Sequence, residues 1–191
     1  MSLRMLPLSG ICALALAGGL WLLAGPALAV SPQDLKPKPG EAVATFAGGC
    51  FWCTEADFEK APGVVSTRVG YMGGHTRNPS YQQVCTGTTG HLEAVEVVYD
   101  PARTNYENLA RLFFEIHDPT QADGQGPDIG EQYHSAIFYT SDAQKQTAEQ
   151  LIRILREKGY AVVTDVRPAP AFWPAEDYHQ HYYDRTGKIP Y

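Results

Sequence analysis

Gly48-Gly49-Cys50-Phe51-Trp52-Cys53-Thr54-Glu55-Ala56-Asp57-Phe58 is the stretch in which a strand pattern gives way to a helix pattern. Before it, Glu41 to Ala47 is a short apolar run that predicts a buried strand, and Cys50 to Lys60 has the spacing of a helix. Pro62-Gly63 ends this helix, and the alternation from Val64 to Tyr71 predicts a second strand. The sequence therefore predicts a βαβ unit with two cysteines at its strand-to-helix junction.

Further strands and helices follow this unit. We predict strands over Leu92 to Tyr99, Ser135 to Tyr139 and Tyr160 to Val166, and helices from Thr104 or Asn105 through Ile116, from Ser141 or Asp142 to Lys158, and over Ala175 to Tyr183. This order predicts an α+β fold, a two-layer α/β sandwich with a ferredoxin-like split βαβ core and helices on one face of a mostly antiparallel sheet.

Two long stretches lack a sustained period, His75 to Gly90 and Asp118 to Gln132. The first contains at most a turn of helix, at Tyr81 to Cys85. Long loops within compact domains are often functional. We expect both loops to fold back over the strand ends and to form the walls of a site.

Composition limits the classes of function. The chain has 191 residues, 44% of them hydrophobic, which is enough for one substantial core. Its formal charge is -6, and no run of lysine and arginine could neutralise phosphates. We therefore expect a single catalytic-sized domain, a monomer, with no nucleic-acid partner.

The amino-terminal residues have the pattern of a secretory signal peptide, assigned to residues 1–29. Arg4 supplies a positive charge, Leu6 to Leu23 is almost entirely apolar, and Ala27-Leu28-Ala29 gives a cleavage pattern of small residues. An uncleaved membrane anchor is the alternative, because the apolar run approaches the length of a span. Residues 30–40 are a Pro- and Lys-rich linker, and residues 41–191 form the folded domain. The domain is expected outside the cytoplasm, in the periplasm.

Cleavage would remove Cys12 and leave an odd number of cysteines, which argues against a structural disulfide framework. Cys50 at a helix start would feel unsatisfied backbone N–H groups and the helix dipole, both of which favour the thiolate. Cys53 lies one turn further along, where it could attack an oxidised Cys50 to form a disulfide. The alternatives are a pair of small core residues and a zinc site, the latter disfavoured because no second Cys-x-x-Cys is present.

Taken alone, the cysteine pair is typical of thioredoxin-like dithiol oxidoreductases. Those sites favour Gly or Pro between the cysteines, whereas Phe51 and Trp52 place two large rings beside the sulfur. Such rings suit a small apolar group, for instance a methyl group on sulfur. A binding module for a thioether or methylated ligand is the non-enzymatic alternative.

A set of motifs then makes the assignment more specific. They are Gly49-Cys50-Phe51-Trp52, Pro62-Gly63-Val64-Val65, Gly70-Tyr71-Met72-Gly73-Gly74-His75, Asn78-Pro79-Ser80-Tyr81, Val84-Cys85-Thr86-Gly87, Thr89-Gly90-His91-Leu92-Glu93, Phe113-Phe114-Glu115-Ile116-His117-Asp118-Pro119-Thr120 and Gln132-Tyr133. In this order they closely resemble the peptide methionine sulfoxide reductase A family, and the resemblance is collinear from about Ala44 to the end. It implies thiol-dependent reduction of methionine (S)-sulfoxide, in proteins and free.

The resemblance also implies roles for single residues. Cys50 would attack the sulfoxide sulfur, and Glu93 would protonate the sulfoxide oxygen. A carboxyl group can do this only if it stays protonated, which an apolar pocket favours by raising its pKa. The product is methionine and a sulfenic acid on Cys50.

Other positions complete the implied site. Tyr81 and Tyr133 match family tyrosines that hydrogen-bond the oxygen, and Asp128 matches the family's loop aspartate. Phe51 and Trp52 would hold the S-methyl group. No NAD(P)H, flavin or metal is implied, since no Gly-rich phosphate loop follows a strand.

The sulfenic acid needs a second thiol. Many relatives resolve it with a cysteine in a carboxyl-terminal tail, but this chain ends Gly187-Lys188-Ile189-Pro190-Tyr191 without one. The resemblance points to Cys53 as the resolver, as in relatives with Cys at this position, and Cys85 is the rival or a buried bystander. A thioredoxin-like protein or dithiothreitol would reduce the disulfide. His134 and Met72 depart from the common family residues, which leaves substrate preference open.

The remaining histidines and aromatic residues have lesser roles in this prediction. His75, His91 and His117 are expected to be structural hydrogen-bonding groups. His179 and His181, with nearby aspartates, do not share one ligand face and are not expected to bind a metal. The aromatic residues of the tail are expected to form a lid or to wrap the core.

Overall fold

The computed structural model describes residues 37–190, and the predicted signal peptide and most of the predicted linker lie outside them. Within this range the strands are β1 Ala42–Gly48, β2 Val64–Met72, β3 Leu92–Tyr99, β4 Gly124–Gln125, β5 Asp128–Ile129, β6 Ser135–Tyr139, β7 Asp165–Pro168 and β8 Trp173–Pro174. The helices are α1 Phe51–Phe58, α2 Tyr81–Val84, α3 Tyr106–Ile116, α4 Asp142–Glu157 and α5 Tyr182–Thr186, with a short 3-10 helix at Glu131–Tyr133. None of the helices in residues 37–190 is long and apolar enough to span a membrane.

The main sheet has six strands in the order β7-β6-β1-β3-β2-β8. Its pairs are antiparallel except for β6 and β7, which run parallel. The four inner strands, β6-β1-β3-β2, have the strand order of a ferredoxin-like split βαβ unit, because β3 lies between β1 and β2. The predicted fold class is therefore confirmed.

The central strands explain where the core lies. Every residue of β3 is buried, as expected for a strand with neighbours on both edges and cover on both faces. Phe46 of β1 stacks on Phe58 of α1 and on Phe113 of α3, with ring centroids 5.0 Å apart in both pairs. These contacts fix α1 and α3 against the sheet, and so they fix the start of α1 above the end of β1.

Local sequence explains the helix boundaries. Asn105 and Ser141 cap α3 and α4, since each side chain accepts a hydrogen bond from a backbone N–H in the first turn. Ser80 and Gln83 form a capping box that starts the short helix α2. Gly49 has a φ of +93° and a Cβ at this position would clash with Gln125, so glycine permits both the turn before α1 and the close approach of the 118–132 loop.

Two predicted elements are wrong in position. The strand predicted at Tyr160 to Val166 begins only at Asp165, where pairing with Ala136 starts, and Tyr160 and Val163 are exposed before it. The helix predicted at Ala175 to Tyr183 is a series of turns followed by the short helix α5. Periodicity misses both because contacts between residues distant in sequence, not the local pattern, decide them.

The second error has an identifiable cause. The Gln180 side chain accepts a hydrogen bond from the Val69 N–H and donates to the carbonyl groups of Val69 and Ala175. His181 then adopts a left-handed conformation with a φ of +50°. These two features hold the chain against β2 and prevent a continuous helix.

Candidate active site

A cavity of about 400 Å³ lies at the start of α1. Its walls come from α1, from β3, from both long loops and from the tail of the chain. The lining residues are Cys50, Phe51, Trp52, Tyr81, Glu93, Asp128, Tyr133, Tyr182, Tyr183, Lys188 and Ile189. Seven of the eight predicted site residues thus line one cavity; Cys53 lies beside it.

Glu93 on β3 is the acidic group of this cavity. It is 2% exposed, and its Oε2 accepts a hydrogen bond of 3.0 Å from the Phe51 N–H at the start of α1. Burial raises the pKa of this carboxyl to about 8, aided by the negative charge of Asp128 and opposed by the Phe51 hydrogen bond. The carboxyl is therefore protonated at neutral pH and can donate a proton.

The expectation that the helix start would stabilise a Cys50 thiolate is wrong. A hydrogen bond with the Cys53 side chain, burial and the nearby Glu93 charge together raise the pKa of Cys50. The Phe51 N–H, the first donor of the helix, is directed at Glu93 rather than at the sulfur. The resting site therefore holds Cys50 as a neutral thiol beside a neutral acid.

Aromatic rings form the apolar wall. Phe51 is buried, and the Trp52 ring stacks on Tyr182 with centroids 3.9 Å apart. The buried ring of His179 packs behind this wall, 5.1 Å from Phe51 and 5.4 Å from Trp52 between centroids. Because burial lowers the pKa of His179, the ring is neutral and acts as packing for the wall. Its role as a support was not predicted.

Tyr81 and Tyr133 come from the two loops and face the same cavity. Burial is the main cause that raises the pKa of Tyr81, and burial and the Glu93 charge raise that of Tyr133 to about 12. Both hydroxyls are protonated at neutral pH and can donate hydrogen bonds to an oxygen atom. The Tyr81 N–H donates to Glu176, which also accepts a hydrogen bond from the Tyr71 hydroxyl. These bonds fix the backbone of Tyr81 and so help to position its ring at the cavity.

Cys53 lines a second cavity, of about 280 Å³, on the other side of α1. Cys50 and Asp128 line both cavities, whereas Glu93 and the aromatic wall line only the first. The second cavity is otherwise lined by Gly48, Thr54, Ile116, Gln125, Gly126 and Pro127. Cys50 is thus reached from both cavities, and Cys53 only from the second, which Glu93 does not line.

The expectation that Cys85 is buried is wrong. Its side chain is exposed at the carboxyl-terminal end of α2. It hydrogen-bonds the Tyr81 side chain and so lies near the cavity wall, but it lines neither of the two cavities described above. The structure thus places Cys53, not Cys85, in side-chain contact with Cys50.

Two structural histidines hold the loops in place. His91 accepts a hydrogen bond from the Gly74 N–H and its other nitrogen contacts the Thr76 carbonyl oxygen. His117 lies between the Phe113 carbonyl and the Ser135 hydroxyl. Their side chains meet protein groups rather than the cavity.

The tail supplies lining residues that sequence reasoning did not assign to the site: Tyr182, Tyr183, Lys188 and Ile189. Lys188 Nζ donates a 2.7 Å hydrogen bond to the Tyr182 hydroxyl, which holds this part of the tail at the cavity wall. In the sequence, the adjacent pair Tyr182-Tyr183 was the signal that could have indicated a role for the tail at the site. Its place in the cavity wall is consistent with the lid that was one of the two roles expected for the tail aromatics. Their contacts depend on tertiary folding and could not be read from spacing.

Among residues 37–190, one group of side chains could geometrically hold a metal ion: Glu55, Glu59 and His181. This group differs from the set considered in the sequence analysis, which was His179 and His181 with nearby aspartates. Glu55 accepts hydrogen bonds from the Thr67 hydroxyl and the His181 N–H, and Glu59 contacts the His181 ring. The carboxylates are therefore already used in a network that holds the tail onto α1.

Comparison with known proteins gives a consistent result. A family model described as peptide methionine sulfoxide reductase matches residues 42–191. The peptide methionine sulfoxide reductase MsrA of Sulfolobus acidocaldarius is 51% identical over 150 residues, which cover 78% of this chain and 85% of that protein.

Solved structures show the same likeness. The reduced form of Mxr1 from Saccharomyces cerevisiae matches with a TM-score of 0.77 and 35% identity, covering 82% of this chain and 92% of the yeast chain. Mxr1 in complex with Trx2 matches with a TM-score of 0.57 and 25% identity, covering 78% and 91%.

Proposed function

The chain belongs to the peptide methionine sulfoxide reductase A family and is a peptide-methionine (S)-S-oxide reductase, and we propose that it works through a Cys50 sulfenic acid resolved by Cys53. The observation that carries this mechanism is the shared cavity of Cys50 and Glu93. A nucleophilic sulfur and a buried, protonated carboxyl face the same space, and the Phe51 N–H links the acid to the start of the cysteine's helix.

In the first step, the methyl group of the substrate lies against Phe51 and Trp52, and the sulfoxide oxygen faces Glu93 and the tyrosines. Proton donation from Glu93 makes the sulfoxide sulfur more electrophilic, and the Cys50 sulfur attacks it. The oxygen passes to Cys50 as a hydroxyl group, the thioether leaves as methionine, and the thiol proton restores Glu93. One thiol and one sulfoxide thus give one sulfenic acid and one methionine.

In the second step, the Cys53 sulfur attacks the sulfenic sulfur of Cys50. The S–O bond breaks, the S–S bond forms, and the hydroxyl leaves as water with the proton of Cys53. Cys53 lies one helical turn from Cys50 and its side chain already hydrogen-bonds it. This arrangement supports Cys53 over Cys85 as the resolving thiol.

A thioredoxin-like protein is the proposed electron donor. Mxr1, which resembles this chain, has been solved with Trx2. The second cavity supports such a reaction, because it exposes both sulfurs away from the substrate wall. A donor thiolate entering there attacks Cys53 and releases Cys50, and the donor's second thiol completes the exchange. Dithiothreitol would act in the same way.

The test of the mechanism is a single turnover without reductant. The wild-type protein should form one methionine per protein and lose two thiols, whereas Cys53→Ser should form one methionine and retain a sulfenic acid that dimedone traps. Cys85→Ser is the matched control and should still form the disulfide. Disulfide formation by Cys53→Ser but not by Cys85→Ser would assign resolution to Cys85.

We further propose that the enzyme is an exported, periplasmic monomer that repairs both proteins and free methionine sulfoxide. The signal pattern of residues 1–29 supports export. Intact-mass measurement on protein from the native host tests export. Loss of the residues up to about Ala29 is expected, and retention of the full amino terminus would indicate a membrane anchor instead.

A further inference from the structure

Resolution requires a thiol that is deprotonated and aimed at Cys50, because the thiolate is the attacking species in thiol exchange. Cys53 has a hydrogen-bond partner outside its own helix. Its Sγ lies 3.4 Å from the hydroxyl oxygen of Tyr183 in α5, a contact between residues 130 positions apart in the sequence. Nothing in the proposed mechanism so far uses this tyrosine.

Several independent contacts fix the segment that carries Tyr183. The Gln180 side chain bonds the backbone of Val69, and the His181 N–H donates to Glu55 on the helix that carries Cys53. Tyr182 stacks on Trp52 of the same helix. Because the preceding three residues are all held against β2 or α1, the Tyr183 hydroxyl is delivered to Cys53 by the fold.

The hydrogen bond has a defined direction when Cys53 ionises. A thiolate can only accept, so the tyrosine must donate. Burial is the main cause that raises the pKa of Tyr183, and the hydrogen bond to Cys53 adds to it, so the hydroxyl keeps its proton at neutral pH. A donor held on the thiolate favours the charged form over the thiol.

We propose that Tyr183 is a positioning residue for the resolving step, holding the Cys53 sulfur beside Cys50 and donating a hydrogen bond to it as it becomes a thiolate. This inference rests on the proposed role of Cys53. In the step itself, Cys53 gives its proton to the departing hydroxyl of the sulfenic acid, water leaves, and the S–S bond forms. Tyr183 keeps its own proton throughout, so atoms and electrons balance as before.

Other ionisable groups also surround the Cys53–Tyr183 hydrogen bond. Cys50 and Glu93 face it from α1 and β3, Asp128 lines the cavity on the Cys53 side, and the Tyr182 hydroxyl is hydrogen-bonded to Lys188. Removal of one hydroxyl leaves all of these groups in place. The difference between wild type and Tyr183→Phe therefore isolates the hydrogen bond.

The experiment measures the second step alone as a function of pH. Protein is mixed with one equivalent of substrate, quenched at set times with a thiol-alkylating reagent, and analysed by intact mass, which separates sulfenic acid from disulfide. In Tyr183→Phe, the apparent pKa in the pH profile of the rate of disulfide formation should rise by about one. The rate should therefore fall about tenfold at low pH and approach the wild-type rate at high pH.

Tyr178→Phe is the matched control, since Tyr178 is a half-exposed tyrosine in the same tail segment. It should leave the pH profile of disulfide formation unshifted. Equal slowing of Tyr183→Phe at all pH values, or no slowing, would overturn the inference while Cys53 remains the resolver. Disulfide formation in Cys53→Ser would instead overturn the proposed mechanism on which it rests.

Discussion

Glu55 and Glu93 are two buried carboxyl groups with similar burial and different surroundings. Glu55 lies on α1 and is 1% exposed, and Glu93 lies on β3 and is 2% exposed. Burial is the main cause that raises the pKa of each, to about 7 for Glu55 and about 8 for Glu93. By burial and pKa alone, either group could be taken for the acid of the enzyme.

Their partners separate them. Glu55 accepts hydrogen bonds from the Thr67 hydroxyl and the His181 N–H, and the His181 ring approaches it at 3.6 Å. For Glu93 the protein supplies the Phe51 N–H at 3.0 Å, and the carboxyl lines the substrate cavity. Glu55 is thus occupied in holding the tail, whereas Glu93 can offer its proton to a ligand. A raised pKa indicates an acid only where the group also faces a cavity.

The largest expected effect is that of Glu93→Gln on the reductive step. Glutamine keeps the shape and can still accept from the Phe51 N–H, but it cannot give a proton to the sulfoxide. Loss of a general acid should lower the single-turnover rate of methionine formation by about 10² to 10⁴. Circular dichroism should show an unchanged fold. A rate within threefold of wild type would remove Glu93 from the chemistry.

Glu55→Gln should affect stability more than chemistry. The substitution removes the charge that faces His181 and leaves one partner without an acceptor, which should lower the free energy of unfolding by about 1 to 3 kcal/mol. Urea unfolding measures this, with the more exposed Glu59→Gln as the matched control and a smaller expected loss. A loss of activity as large as that of Glu93→Gln in a folded protein would contradict the distinction drawn between the two groups.

The pH dependence of methionine formation tests the same distinction. Because the pKa of Glu93 is raised to about 8, the acid is available below that pH and is lost above it. The single-turnover rate without reductant should be flat below about pH 8 and fall about tenfold per unit above it. A rate that instead climbs steadily through this range would mean that ionisation of Cys50 limits the step.

The last prediction concerns the pH dependence of stability. In the unfolded chain Glu93 loses its proton near its ordinary pKa of 4.5, but in the folded protein it retains the proton until about 8. Its burial therefore destabilises the fold progressively as pH rises between these values, and no further above them. The stability advantage of Glu93→Gln over wild type should grow by about 3 kcal/mol from pH 5 to pH 8. A difference that is independent of pH would show that Glu93 ionises normally.

Much of this site could be predicted from the sequence, because its parts lie at element boundaries with strong local signals. The glycines before Cys50 and the apolar run of β1 predict the strand-to-helix junction, and Asn105 and Ser141 mark helix starts. The loops that carry Tyr81, Asp128 and Tyr133 could be recognised by their lack of periodicity. The structure places all three of these residues at one cavity.

The features that were missed depend on distant contacts. Only the folded chain shows that Gln180 binds the backbone of β2 and so prevents the helix expected there. The direction of the Phe51 N–H, which is aimed at Glu93 rather than Cys50, is likewise set by the packing of α1 on β3. The thiolate expected from helix position was wrong because the Cys53 side-chain hydrogen bond, burial and the Glu93 charge raise the pKa of Cys50 more than the Cys53 backbone N–H lowers it.

The protonation state of Glu93 is the central claim, and it can be measured directly. The carboxyl carbons of ¹³C-labelled glutamate are followed by NMR from pH 4 to pH 9, and the Glu93 signal is identified by its loss in Glu93→Gln. We predict a carboxyl that remains protonated at pH 7 and titrates near 8. A Glu93 signal already ionised at pH 6 would contradict it.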